Sequence, residues 1–241
     1  MAAVPGTLHS RARATESLRL LRVATRRSFR PIGSGYDARS ALAHPLRVLR
    51  GGPDGIAVAL AWRGGEVEAT VLARGACTAD DCAAAFEAAR GLAAVDDDPS
   101  AFLASVKKHP IVGKLALRGD PRLARTPTLF EAFVFFVLGQ LVTTWEARES
   151  FKKLGWMAGE AIDGTRLRSA PTPAGMRALP MWKLHAIGVG SRRAATLRMG
   201  ALRGASLEKL RALPGETVVE KLQSLRGIGP WTANHVARAA L

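Results

Sequence analysis

The hydrophobic period of this chain changes near residue 78, and that change restricts its fold more than any other feature. Residues 46–74, LRVLRGGPDGIAVALAWRGGEVEATVLAR, alternate apolar and polar positions around the glycine pairs Gly51-Gly52 and Gly64-Gly65. Period two with glycine breaks is the pattern of antiparallel strands and hairpins. From Thr78 the spacing turns helical: TADDCAAAFEAARGLAAV offers Thr78 as N-cap, Asp80 and Asp81 in the first turn, and Gly91 as a stop. The Arg-rich start, SRARATESLRLLRVATRRSFR, has the composition of a transit peptide but lacks the apolar core of a signal peptide. The partial alternation of Leu18, Arg19, Leu20 and Arg22 instead predicts a first basic strand. Together these segments predict a small antiparallel sheet covered by a helix.

Downstream the pattern is helical throughout. Asp98 or Ser100 is expected to cap a short helix, and the turn-rich LRGDPRLARTPT marks a boundary. The expected organisation is α+β: residues 1–120 form an N-terminal domain with an antiparallel sheet, and residues 121–241 form an all-helical domain. PTLFEAFVFFVLGQLVTTWEARESFKKL is the most apolar stretch, yet Glu131, Gln140 and Glu146 interrupt it too early for a membrane span. It predicts a buried helix broken or bent at Gly139. Shorter helices follow in TPAGMRALPMWKLHAIG, in SRRAATLRMGALRG with Ser191 as cap, and in SLEKLRAL with Ser206 as cap. The last pair is GETVVEKLQSLRG and GPWTANHVARAAL, with Pro230 at the first helical position, where its missing N–H costs nothing.

An apolar content of 48% with 23% charged residues excludes a disordered chain, and a net charge of +15 favours a polyanionic partner, most simply nucleic acid. Residues 121–241 carry 18 basic against eight acidic side chains, although a solvated basic surface would have the same composition. Four residues separate the two cysteines, Cys77 and Cys82. That spacing suits neither zinc nor an iron–sulfur cluster, so both are expected as reduced thiols of a cytoplasmic protein, nucleoid-associated in a bacterium. The five histidines show no i, i+4 pair, and no cofactor is expected.

In LRGIGPWTA, Gly227 and Gly229 allow backbone angles closed to other residues and expose the N–H groups that open the next helix. Such donors hold phosphate without side-chain charge or base readout. A tight interhelical turn packed through glycine is the alternative.

The string Leu225-Arg226-Gly227-Ile228-Gly229-Pro230-Trp231-Thr232-Ala233 resembles the helix-hairpin-helix of the DNA glycosylase (HhH-GPD) superfamily, nearest the AlkA-type 3-methyladenine DNA glycosylases, with Arg226 where the family usually has proline. Residues 127–147 are similar to the first long helix of the same domain, and the resemblance spans about residues 125–241. It implies excision of alkylated purines from double-stranded DNA by base flipping and hydrolysis of the N-glycosidic bond. It further implies phosphate binding at Arg226, Gly227, Gly229 and Thr232, and a base pocket at Trp231 and His235. Gln140 and Leu141 would form the wedge that fills the gap left by a flipped nucleotide. Core packing is the alternative for Leu141, Trp231 and His235; for Leu141, only the neighbouring Gly139-Gln140 favours the wedge. The family often holds a monovalent cation through hairpin carbonyls, here those of Gln223, Leu225 and Ile228. Relatives that also cleave the backbone carry a nucleophilic lysine where Trp231 stands, so a monofunctional hydrolase is implied.

The family's catalytic aspartate lies about twenty residues beyond the hairpin, whereas 12 residues follow Gly229 here and none is acidic. The catalytic residue is therefore unassigned. Two accounts stand: a glycosylase domain lacking its C-terminal helices, which the abrupt ARAAL favours, or a catalytically silent helix-hairpin-helix DNA-binding protein. A basic helical scaffold for RNA or protein is a third reading. The chain is expected to act as a monomer with no membrane partner.

Overall fold

The computed structural model describes residues 18–25, 46–63, 66–75, 77–118, 121–163 and 168–241. The Gly64-Gly65 pair and residues 1–17 of the Arg-rich start lie outside them. The fold is α+β, in two units: one from Met1–Leu49 and Pro53–Ala124, the other from Arg50–Gly52 and Arg125–Leu241.

In the first unit, β1 (Leu18–Thr25), β2 (Leu46–Arg50), β3 (Ile56–Arg63) and β4 (Glu66–Arg74) lie in the order β1-β4-β3-β2. The antiparallel register sets Ile56 opposite Ala73, Val58 opposite Val71 and Leu60 opposite Ala69. Because side chains alternate along a strand, these positions share one buried face. Helix α1 (Ala79–Leu92) covers that face with Ala85, Ala89 and Leu92. It opens on a capping box in which the Thr78 hydroxyl accepts from Asp81 N–H and the Asp81 carboxylate accepts from Thr78 N–H. The helix does not stop at Gly91. It runs to Leu92, and the reversal falls on Ala94 at φ 51°, because both flanking residues are held in the core. The Cys77 and Cys82 sulfurs lie 3.0 Å apart without a disulfide. Next come α2 (Ser100–Val106), whose Ser100 N–H is taken by Asp98, and α3 (Val112–Arg118).

The second unit is built around α4 (Leu129–Leu138), buried at every position except Phe135. A helix apolar on all sides belongs at the centre of a bundle. Around it run α5 (Thr144–Ala158), the β5 (Gly159–Ala161) and β6 (Arg168–Pro171) hairpin, α6 (Pro173–Ala178), α7 (Met181–Ala186) and α8 (Ser191–Leu202). Then follow α9 (Gly204–Lys209), a single 3₁₀ turn, α10 (Gly215–Gln223) and α11 (Pro230–Ala240).

Two expected serine caps are corrected. Gly190 holds the extended cap position before α8, placing Ser191 inside the helix. Arg203 both ends α8 and starts α9, so Ser206 sits within α9. With α8 and α9 abutting, no extended residue remains for a serine cap to occupy.

Part of the basic excess is bonded to the fold's own carbonyls. The Arg177, Arg198 and Arg211 guanidiniums donate to the Ala201, Leu179 and Pro127 carbonyls, satisfying acceptors at the ends of segments. Among the described residues, no helix is long and apolar enough to cross a membrane.

A candidate nucleic-acid interface at the helical hairpin

The turn between α10 and α11 is closed by Leu225 N–H on the Leu222 carbonyl (3.0 Å) and Ile228 N–H on the Leu225 carbonyl (3.1 Å), with Ile228 buried. Of its two glycines, only Gly227 uses a left-handed conformation, at φ 87°. A Cβ there would also meet the Thr196 hydroxyl of α8 at 2.3 Å. Gly229 is ordinary extended backbone at φ −91°, the N-cap of α11, and a Cβ on it would meet nothing within 4 Å. The conformational argument therefore belongs to Gly227, whereas Gly229 leaves the approach open.

The first helical bond of α11 runs from Ala233 N–H to the Gly229 carbonyl. The N–H groups of Trp231 and Thr232 are thus left without intrahelical acceptors at the positive end of the helix dipole. With Arg226 exposed on the preceding turn, they are donors of the kind that suit an anion. The Thr232 side chain takes no part: it is buried, and its hydroxyl accepts from Gln140 Nε2 at 3.0 Å. Only the Thr232 N–H is available to a phosphate.

The same Gln140 Nε2 donates to the Gly227 carbonyl at 3.0 Å. Gln140 is consequently tied to the hairpin and does not project with its neighbour. Leu141 is fully exposed, at 100%, with φ 58°. A left-handed leucine costs about 1–2 kcal/mol, and this one contributes nothing to the core.

Trp231 is 52% exposed. Its ring meets the His235 ring edge-on at 4.4 Å, and Phe136 of α4 stacks beneath His235 at 5.2 Å with 17° between planes. A Cβ on Gly139 would lie 3.8 Å from Trp231 Cη2, so the indole reaches the end of α4 just before the exposed leucine. Burial, and then the Arg238 charge, hold the His235 imidazole below its ordinary value of 6.5. Its buried Nδ1 has no hydrogen-bond partner.

The unfolded chain therefore binds a proton at His235 more readily than the folded one. Stability from this group is fully present above about pH 6.5 and is lost as pH falls through the depressed value. His235→Phe is expected to keep the ring stack and lessen the acid loss, measured as urea midpoints at about pH 7.5 and about pH 5. Equal losses in both proteins would count against this assignment.

The structure thus gathers Trp231, His235, Gln140, Leu141, Gly227 and Thr232 at two adjoining turns. Three contributors carried no distinguishing sequence signal. Phe136 is one of several apolar residues on α4, Arg193 donates to the Leu138 carbonyl from α8, and Glu208 accepts from α4 N–H groups. Among the described residues, no cluster of three or more His, Cys, Asp or Glu side chains is placed to hold a metal.

No family model matches the chain. It is 34% identical over 132 residues to DNA-3-methyladenine glycosylase 2 of Escherichia coli K12, a match covering 52% of this chain and 46% of that relative. The chain therefore spans about half the length of the curated relative it matches. The 3-methyladenine DNA glycosylase of Archaeoglobus fulgidus has a similar fold, with TM-score 0.70, 18% identity, and 90% of this chain and 79% of that one covered. So does the Clostridium acetobutylicum 8-oxoguanine glycosylase/lyase in complex with double-stranded DNA, at TM-score 0.60 and 17% identity over 80% and 68% of the two chains. The chain is thus similar in sequence to a 3-methyladenine glycosylase over part of its length, and shares the fold of solved DNA glycosylases over most of it.

Proposed function

We propose that this chain recognises alkylated purines in double-stranded DNA and extrudes them for hydrolysis of the N-glycosidic bond, as a monomeric cytoplasmic repair protein. One observation carries the reading: a half-exposed tryptophan and a fully exposed, left-handed leucine stand on adjoining turns, beside a helix N-terminus of the kind that suits an anion. The similarity to DNA-3-methyladenine glycosylase 2 of Escherichia coli supports it.

Each part has a physical role. Backbone donors at Trp231 and Thr232, with Arg226, hold a phosphate without reading sequence, which suits a protein that scans DNA. Leu141 enters the stack and takes the place of the displaced nucleotide. Alkylation leaves positive charge on the purine, and the Trp231 face attracts an electron-poor ring by stacking and cation–π contact. An uncharged His235 avoids repelling that cation. Tryptophan forms no Schiff base, so the reaction is hydrolysis without backbone cleavage.

The Gln223, Leu225 and Ile228 carbonyls border the turn and are hard oxygen donors of the kind a monovalent cation takes. The Leu225 oxygen, which accepts from Ile228 N–H, keeps one lone pair for it. A bound cation would add positive charge beside the phosphate site.

No acid lies on α11. Recognition and extrusion are therefore what these side chains supply, and base release separates a glycosylase from a silent DNA-binding relative. The assay is release of 3-methyladenine from methylated duplex by the 241-residue chain, with Trp231→Ala beside it. Release that falls at least about tenfold in the variant supports the pocket. Salt-sensitive duplex binding without release favours the silent relative, and absence of duplex binding sinks both.

A further inference from the structure

We propose that Gln140 is a positioning residue that couples the phosphate-binding hairpin to Leu141, making hairpin docking and leucine insertion one rigid movement. This rests on the DNA function proposed above.

The leucine cannot hold its own conformation, because its side chain is fully exposed and its backbone is left-handed. The flanking residues must hold it. Before the turn, Arg193 Nη1 donates to the Leu138 carbonyl at 2.7 Å while Nη2 donates to the Gly188 carbonyl at 3.0 Å, pinning the end of α4 to the turn before α8. After it, Thr143 caps α5 in a reciprocal box with Glu146. Only residues 139–142 lie between these anchors, and Gln140 is the one that reaches the hairpin.

Its single Nε2 group bridges the Gly227 carbonyl and the Thr232 hydroxyl, both at 3.0 Å. Those acceptors belong to the turn and the first helical turn that present N–H groups to phosphate. The Gln140 amide uses both of its N–H donors in this bridge, so it is satisfied before DNA arrives. A phosphate drawn to the hairpin thereby carries the leucine with it at a preset height. Without the amide, no hydrogen bond among the described residues joins residues 139–142 to the hairpin or α11, and the leucine relaxes out of its left-handed state.

The test uses the 241-residue chain and a duplex with one 2-aminopurine, whose fluorescence rises on unstacking, read at saturating protein so that affinity does not enter. Gln140→Ala and the near-isosteric Gln140→Glu, which lacks both donors, are each expected to cut the rise about tenfold, to the level of Leu141→Gly. In the Leu141→Gly background, adding Gln140→Ala is expected to change nothing further, because a residue that acts through the leucine has no effect once the leucine is gone. A wild-type rise that survives in both Gln140 variants overturns the inference, as does a loss that adds fully to that of Leu141→Gly. A wild-type chain that binds the duplex with no rise at all overturns the extrusion function itself.

Discussion

Glu208→Ala is expected to destabilise the helical unit by about 2–4 kcal/mol, through two lost charge-assisted hydrogen bonds and two stranded donors. The Glu208 carboxylate, on α9, accepts from Leu129 N–H at 3.1 Å and from Phe130 N–H at 2.8 Å. Both residues open α4, and their exposures are 0% and 2%. Thr128 serves Glu131 N–H alone, so the local cap cannot substitute. The two N–H groups of these buried residues lose their acceptor, and the positive end of the buried helix loses its anion. Glu208→Gln keeps one acceptor oxygen and is expected to cost about half as much. Urea unfolding measures the effect as a lower midpoint at unchanged slope. An alanine variant as stable as wild type would show that the N–H groups find other partners.

Gly229→Asp is expected to weaken duplex binding roughly 100-fold while leaving the fold at least as stable. The two effects have opposite signs for one reason. Gly229 already holds the extended N-cap conformation, and a side chain there meets open space. Aspartate is among the best N-cap residues, so its carboxylate would accept from the Trp231 and Thr232 N–H groups and strengthen the helix start by a few tenths of a kcal/mol. It would then occupy the site proposed for phosphate and repel it. Fluorescence anisotropy at fixed salt together with a thermal midpoint measures both. Unchanged binding would move the phosphate contact away from this helix, and a lower midpoint would mean that the hairpin tolerates no side chain.

Elements whose pattern is local were legible from the residues alone. The alternation before residue 78 appears as β3 and β4, Thr78 as the N-cap of α1, and Pro230 as the first residue of α11. Caps at Ser191 and Ser206 were not, because whether a cap exists depends on whether the preceding residue is extended. Abutting helices, set by packing, removed that possibility at Ser206. Thr232 and Gln140 illustrate the same divide within the site. Both were placed on DNA by resemblance to the family, and in the structure they bond to each other.

Composition, period and the Leu225–Ala233 string determined by themselves an α+β chain, basic in its helical part, whose helix-hairpin-helix, with its second helix opening at Pro230, resembles that of the AlkA-type glycosylases. Hydrophobic spacing and turn chemistry act over a few residues, so a linear string records them. Only the tertiary structure decided which glycine of the hairpin is strained, that Leu141 stands clear of the core, that Phe136 supports the aromatic pair, and that Glu208 and Arg193 secure the two ends of α4. Those contacts join residues 55 to 99 positions apart. Their energies depend on burial and angle, which no single residue type carries into the sequence.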